Sequence, residues 1–176
     1  MSCNIQDNIT YKDVTLTFKK KKIIYDIENI AYVEADLLKE VADEHRRHLI
    51  ADICQDGNID RVQRMLDLVY REVTEMLYPF TKTPVTDKSS YDNTQTEEVN
   101  YIITLNLPCT FSDTTVMLLK ELIHEYFISR VLSDWFSIVF TERQIVWQAK
   151  AEDAKEKIKN KLTTRGKVMR RKLLPF

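Results

Sequence analysis

The sequence predicts a mainly α-helical fold: a bundle of about four main helices with a small β-hairpin or strand element and a long loop. Three observations carry this. The 176 residues include only two glycines and four prolines, too few for the turns of an all-β fold and compatible with long helices. Apolar residues recur at helical spacing through much of 34–77 and 112–164, and they alternate at strand spacing mainly in 12–18 and 99–107. With 44% apolar and 30% charged residues, the composition is that of an ordinary globular protein, so 1–176 reads as a single domain.

Residues 1–30 read as an N-terminal extension with a candidate β-hairpin. Val14, Leu16 and Phe18 alternate with Thr15 and Thr17, and Ile23-Ile24-Tyr25 is read as a second strand beyond Lys19 to Lys22. That turn lacks the Asn-Gly chemistry of tight hairpins. Four lysines at such a tip would serve a contact or protect a sheet edge.

A helical hairpin is expected over 34–77. Its first helix, about Glu34 to Cys54, places Leu38, Val41, Ala42, His45, Leu49 and Ile53 on one face. Gly57 suits a left-handed C′ position and Asn58 an N-cap. The second helix runs from Ile59 to about Leu77, with a stripe of Val62, Met65, Leu66, Val69, Val73, Met76 and Leu77, and Pro79 ends it. So short a connection predicts antiparallel neighbours.

Residues 81–98 form a polar stretch with no period, expected to be a long loop or an arm that orders on a neighbouring chain. The clearest strand follows at 99–107, where Val99, Tyr101, Ile103, Leu105 and Leu107 share one face. Two long helices occupy 112–164. Ser112 is placed as N-cap, with Phe111 and Val116 as a hydrophobic staple, and Thr141-x-x-Gln144 as a capping box that restarts the chain after a bend near Phe140. The first of the two is apolar around most of its circumference, so it is either the centre of the bundle or faces a second chain. Tyr126, Val131, Trp135, Phe136, Val139 and Trp147 are the candidate protein-interface residues. Trp147, Ala151, Ala154, Ile158 and Leu162 give the last helix a single seam. A basic C-terminal tail, 165–176, ends the sequence.

The net charge of −1 hides an uneven distribution. Nine Lys or Arg residues and one acid, Glu156, lie between Lys155 and Lys172. A solvated helix end explains them, with cations favoured by the C-terminal dipole. The sharper alternative is nucleic-acid contact through Lys167, Arg170, Arg171 and Lys172. Three cysteines, Cys3, Cys54 and Cys109, with no Cys-x-x-Cys pair, are expected to be free thiols of a reducing compartment. Met1 to Asp7 shows neither a basic n-region nor an apolar run, so no signal peptide is expected. Val116 to Phe140 is too often interrupted by charge to span a bilayer. A soluble cytoplasmic chain is the expectation.

Glu121-x-x-His124 has the i, i+3 spacing of di-iron carboxylate bundles, but such a site needs two of these pairs. Glu44 and His48 stand four apart, and His45 and His48 are a weak zinc signal without cysteines nearby. His45 is expected to be a core histidine on the apolar stripe. With glycine only at 57 and 166, no phosphate loop or nucleophile elbow can be written. No cofactor, metal or small-molecule substrate is expected, and the chain reads as a non-enzyme. A helical-bundle metal enzyme around Glu121 and His124 stands as the remaining alternative after nucleic-acid association.

Ile123-His124-Glu125-Tyr126 through Val131-Leu132-Ser133-Asp134-Trp135, then Trp147-Gln148-Ala149-Lys150, resembles small helical proteins from the structural gene clusters of tailed phages and prophages of gut bacteria. The resemblance covers about residues 112–163 and includes no diagnostic motif, so no functional residue carries over. It implies a structural subunit of a virion, a head-tail connector, neck adaptor or tail-completion protein. The implied partners are other virion proteins and further copies in a homo-oligomeric ring, with DNA secondary and no membrane. Such a subunit would be found in the host cytoplasm during assembly and then in the virion.

Overall fold

A computed structural model describes residues 4–6, 9–38, 44–81 and 100–166. Along the chain these form β1 (Asn4–Gln6), β2 (Ile9–Lys19), α1 (Lys20–Leu37), α2 (Glu44–Ala51), a 3-10 turn (Asp52–Cys54), α3 (Ile59–Thr81), β3 (Asn100–Pro108), α4 (Asp113–Val139) and α5 (Thr141–Gly166). The fold is mainly α with a small antiparallel sheet, as the sequence predicts.

The sheet has the order β1-β2-β3. β2 pairs with β3 from Tyr11↔Pro108 to Lys19↔Asn100, and β1 covers only Ile9 to Tyr11 on the other side. Alternation sets the two faces. Leu16, Phe18, Tyr101, Ile103, Leu105 and Leu107 are buried under the helices, while Asp13, Thr15, Thr17 and Lys19 are exposed. Phe127 of α4 fills the space beneath, its ring 5.7 Å from Phe18 and 5.6 Å from Tyr101.

The lysine run is not a hairpin tip. Helix α1 begins at Lys20, directly after β2, and Ile23-Ile24-Tyr25 is helical. Strand alternation ends at Phe18. From there Ile23, Ile27, Ala31, Glu34, Ala35 and Leu38 recur every three to four residues and are all buried. The hairpin of this region is instead the β1–β2 pair.

The helix expected from Glu34 to Cys54 is also two pieces. α1 stops at Leu37, and α2 starts at Glu44 after a gap in the described residues that includes Val41 and Ala42. His45 is exposed rather than in the core, as are His48 and Leu49, because α2 presents Ile50 inward and the 3-10 turn adds Ile53. α2 packs mainly on α1, whereas α3 packs on β3 and α4, so 34–77 is not a closed helical hairpin. Gly57 does not adopt the left-handed conformation. The turn closes instead through Gln55, whose carbonyl accepts the Asn58 and Ile59 N–H groups at 2.7 and 2.9 Å. Asn58 does occupy the N-cap position, its carbonyl accepting from Val62, but its side chain donates back to the Asp52 carbonyl.

Helix α3 buries Val62, Leu66, Val69, Val73 and Leu77 completely, an unbroken seam. It continues through Pro79 to Thr81 rather than stopping before the proline. Only the last turn is affected, where the missing proline N–H leaves a single carbonyl without its helical donor.

α4 is the centre of the bundle. Leu119, Ile123, Tyr126, Phe127, Ile128, Val131, Leu132, Trp135 and Phe136 are all buried within the chain. α5 folds back on it: Phe136 stacks on Trp147 at 6.5 Å, and Ser133 and Tyr126 face Ala151 and Lys155 across the same cleft. One residue makes the reversal. Phe140 donates its N–H to the Phe136 carbonyl at 2.8 Å, and its own carbonyl accepts from Arg143 at 3.0 Å and Gln144 at 3.4 Å. Phe140 thus ends one helix and begins the next, and Thr141 is the first residue of α5 instead of the cap of a capping box. Ser112 has the extended backbone of an N-cap, without a side-chain cap bond.

Candidate interaction surfaces

Five of the six side chains expected at a protein interface are consumed by the fold. Tyr126, Val131, Trp135, Phe136 and Trp147 are each 5% exposed or less, and Val139 is half-buried against the same core. Most of the apolar girth of α4 is met by α1, α3, α5 and the sheet, while Met117, Leu118 and Ile138 remain exposed. Lys167, Arg170, Arg171 and Lys172 lie outside the described residues, as do 82–99 of the expected arm.

His124 is held in a different partnership from the one its spacing to Glu121 proposed. Its Nε2 lies 2.8 Å from Asp26 Oδ2 and ties α4 to α1, while Glu121 points to solvent. Among the described residues no group of three or more His, Cys, Asp or Glu side chains is placed to hold a metal ion. None of the described helices is long and apolar enough to cross a membrane.

A cleft of about 540 Å³ runs between α3, α4 and α5. Arg130 sits on its wall, 3.5 Å from Glu72 through Nε and bonded closely to Asp134 through Nη1. Tyr126 Oη donates to Glu72 at 3.1 Å. Burial, then the Glu72 carboxylate beside it, hold the Tyr126 hydroxyl well above its ordinary range. Burial works against the Arg130 charge, but Asp134 and Glu72 outweigh it and raise its pKa further. Glu75, Glu152, Lys155 and Lys159 complete a rim of balanced charge. Arg130, matched to the Glu72 and Asp134 carboxylates, makes this wall of the cleft an ion-paired network.

A different surface was not legible as one. Glu34, on α1, reaches Arg143 near the start of α5 at 3.3 Å. Around the two ends of this ion pair large apolar side chains stand in solvent: Tyr32 66%, Val33 56% and Leu37 65% on α1, and Ile138 54%, Ile145 70% and Val146 41% at the α4–α5 elbow. Tyr32, Val33 and Leu37 lie within a turn of Glu34 along α1, Ile145 and Val146 within a turn of Arg143 along α5, and Ile138 in the last turn of α4.

No protein-family model, curated protein or solved structure matches this chain.

The signal for the elbow is present in α5 itself. Its buried seam is Trp147, Ala151, Ala154, Ile158 and Leu162. Ile145 and Val146 fall off that seam by 100 to 200° of helical rotation, so a one-seam helix cannot bury them. Ile145 and Val146 therefore stay exposed beside the turn from α4 into α5.

Proposed function

We propose that this chain is a non-enzymatic structural subunit that works by packing against other protein chains. The observation that carries the reading is the apolar group around the Glu34–Arg143 ion pair, at the elbow where α4 turns into α5. Burying it would remove six large apolar side chains from water, each worth about 1.5–3 kcal/mol when fully covered. Its edges are polar, with Asp36, Glu142 and Gln148 exposed nearby, which suits a contact made after folding rather than a core cut in half. The setting we favour is a virion neck or tail, with the subunit as a connector or tail-completion protein. That part of the reading is supported by the resemblance over residues 112–163.

Light scattering of the purified chain over a concentration series tests the proposal. A discrete species larger than a tetramer is expected, falling in mass when Ile138 and Ile145 are both replaced by glutamate while the far-ultraviolet circular dichroism is unchanged. A monomeric mass throughout, with no difference between wild type and the double variant, would count against the reading.

A further inference from the structure

Two bonds fix which way the main chain of β2 points. The Cys109 N–H donates to the Thr10 carbonyl at 2.8 Å, so the polar groups of even-numbered β2 residues turn toward β3. Tyr70 Oη donates to the Ile102 carbonyl at 2.9 Å, on the far side of β3, and Ile102 is the partner of odd-numbered Thr17. In an antiparallel ladder a residue's N–H and C=O point to the same side and alternate along the strand. The main-chain groups of Asp13, Thr15 and Thr17 therefore face away from β3. On that side β1 pairs only as far as Tyr11. Among the described residues nothing pairs with Asp13, Thr15 or Thr17 there, which leaves an open edge in the middle of an 11-residue strand.

The exposed side chains of this edge form a self-complementary series. Asp13-Val14-Thr15-Leu16-Thr17-Phe18-Lys19 reads about a centre at Leu16 with an acid opposite a base, threonine opposite threonine, and apolar opposite apolar. Laid antiparallel against a second copy on a two-fold axis through Leu16, Thr15 meets Thr17 and Asp13 meets Lys19, each twice. The residues that meet are those whose main-chain groups face outward, and all four side chains project from the same exposed face. Facing opposite charges and facing threonines are the favourable cross-strand pairs, whereas a shift of one register step sets Asp13 against Thr17 or Lys19 against Thr15 and leaves no opposite charges facing.

We propose that the open edge of β2 pairs with β2 of a second copy, joining the two small sheets into one across a two-fold axis. This inference rests on the reading that the chain works by association, but it names a surface separate from the apolar elbow. The contact is isologous, so it closes after two copies. Combined with an elbow contact it gives an assembly built from dimers.

Amide hydrogen exchange of the full chain, followed residue by residue at low and high protein concentration, tests it. The Leu16 and Phe18 amides bond to β3 and are protected at every concentration. The Thr15 and Thr17 amides are expected to exchange freely when dilute and to become protected as the dimer forms. Charge reversal supplies the second measurement. Asp13→Lys or Lys19→Asp alone sets like charges against each other twice, and is expected to weaken the dimer by about tenfold. The pair Asp13→Lys with Lys19→Asp restores facing opposites and with them the association. If the Thr15 and Thr17 amides exchange freely at every concentration, the inference is overturned. Should larger species persist in that case and respond to the Ile138 and Ile145 replacements, the assembly reading stands without it. A double reversal no better than the single ones would also overturn the proposed register.

Discussion

Lys20 reaches Asp67 at 3.7 Å from the first turn of α1, and its Nζ lies 6.0 Å from the centre of the Tyr101 ring. Tyr101 donates its hydroxyl to the same Asp67 carboxylate, so one acid on α3 holds the start of α1 and the beginning of β3 together. The first turn of α1 has three lysines and no acid, against the sense of the helix dipole. Asp67 offsets that for the one lysine that is buried.

Replacing Lys20 should separate the stem from the charge. Asp67 is more than a third exposed, so the ion pair itself is worth under about 1 kcal/mol. Most of the contribution comes from the buried methylenes. Lys20→Ala is expected to lower stability by about 1–2 kcal/mol and Lys20→Met by less than half of that. Urea midpoints of the three proteins decide it, and a methionine variant as weak as the alanine one would show the charge to dominate.

Trp147 distinguishes core from interface in a direct way. It is 5% exposed, stacks on Phe136, and carries Lys150 Nζ 3.7 Å from its ring centre. Trp147→Ala should cost about 3–5 kcal/mol of folding stability, since it empties the hairpin between α4 and α5. Ile145→Glu, two residues earlier and 70% exposed, should change stability by less than about 0.5 kcal/mol. Thermal and urea unfolding of both variants checks the contrast. Equal losses would mean that the elbow is packed and not open.

How much of this was readable follows from which physical signal each element rests on. The α3 seam, the Phe18 and Tyr101 faces of β2 and β3, and the extent of α4 all follow from local periodicity, which the tertiary fold respects. α1 is hidden from a local reading because Ile23-Ile24-Tyr25 has strand propensity, while the period that decides it extends to Leu38. Propensity is the weaker signal there. The girth of α4 left its partner open: apolar residues around a whole helix report burial without saying whether the cover comes from the same chain. The ion pairs that fix the elbow and the sheet, Glu34 with Arg143 and Lys20 with Asp67, join residues 109 and 47 positions apart, beyond the reach of any local pattern.

The Tyr126–Glu72 bond has a pH consequence with a definite sign. Burial and the neighbouring carboxylate raise the Tyr126 pKa above its ordinary value of 10.0. The folded state then holds the phenolic proton where the unfolded chain releases it. This contribution is complete below pH 10 and is lost as pH rises further, so stability falls with pH in that window. Between about pH 9.5 and 11.5 the wild type should lose more stability than Tyr126→Phe, which has no such proton. Urea midpoints measured across that range test it, and parallel curves for the two proteins would refute it.

Cys54 should be a slow thiol. Burial first, then the charge of Glu28, push its pKa from 9.0 to about 11, and its Sγ lies 3.8 Å from the Ile24 carbonyl as a weak donor. The thiolate is the reactive form, so at pH 8 its fraction is about a hundredth of that in an ordinary thiol. Iodoacetamide should alkylate Cys54 about a hundredfold more slowly than a free cysteine peptide, followed by peptide mass spectrometry. Glu28→Gln removes the second cause and leaves the first, so it should raise the rate only partway. A full return to the free-thiol rate in that variant would assign the shift to charge rather than to burial, and would place Cys54 nearer to solvent than its position on the 3-10 turn against α1 implies.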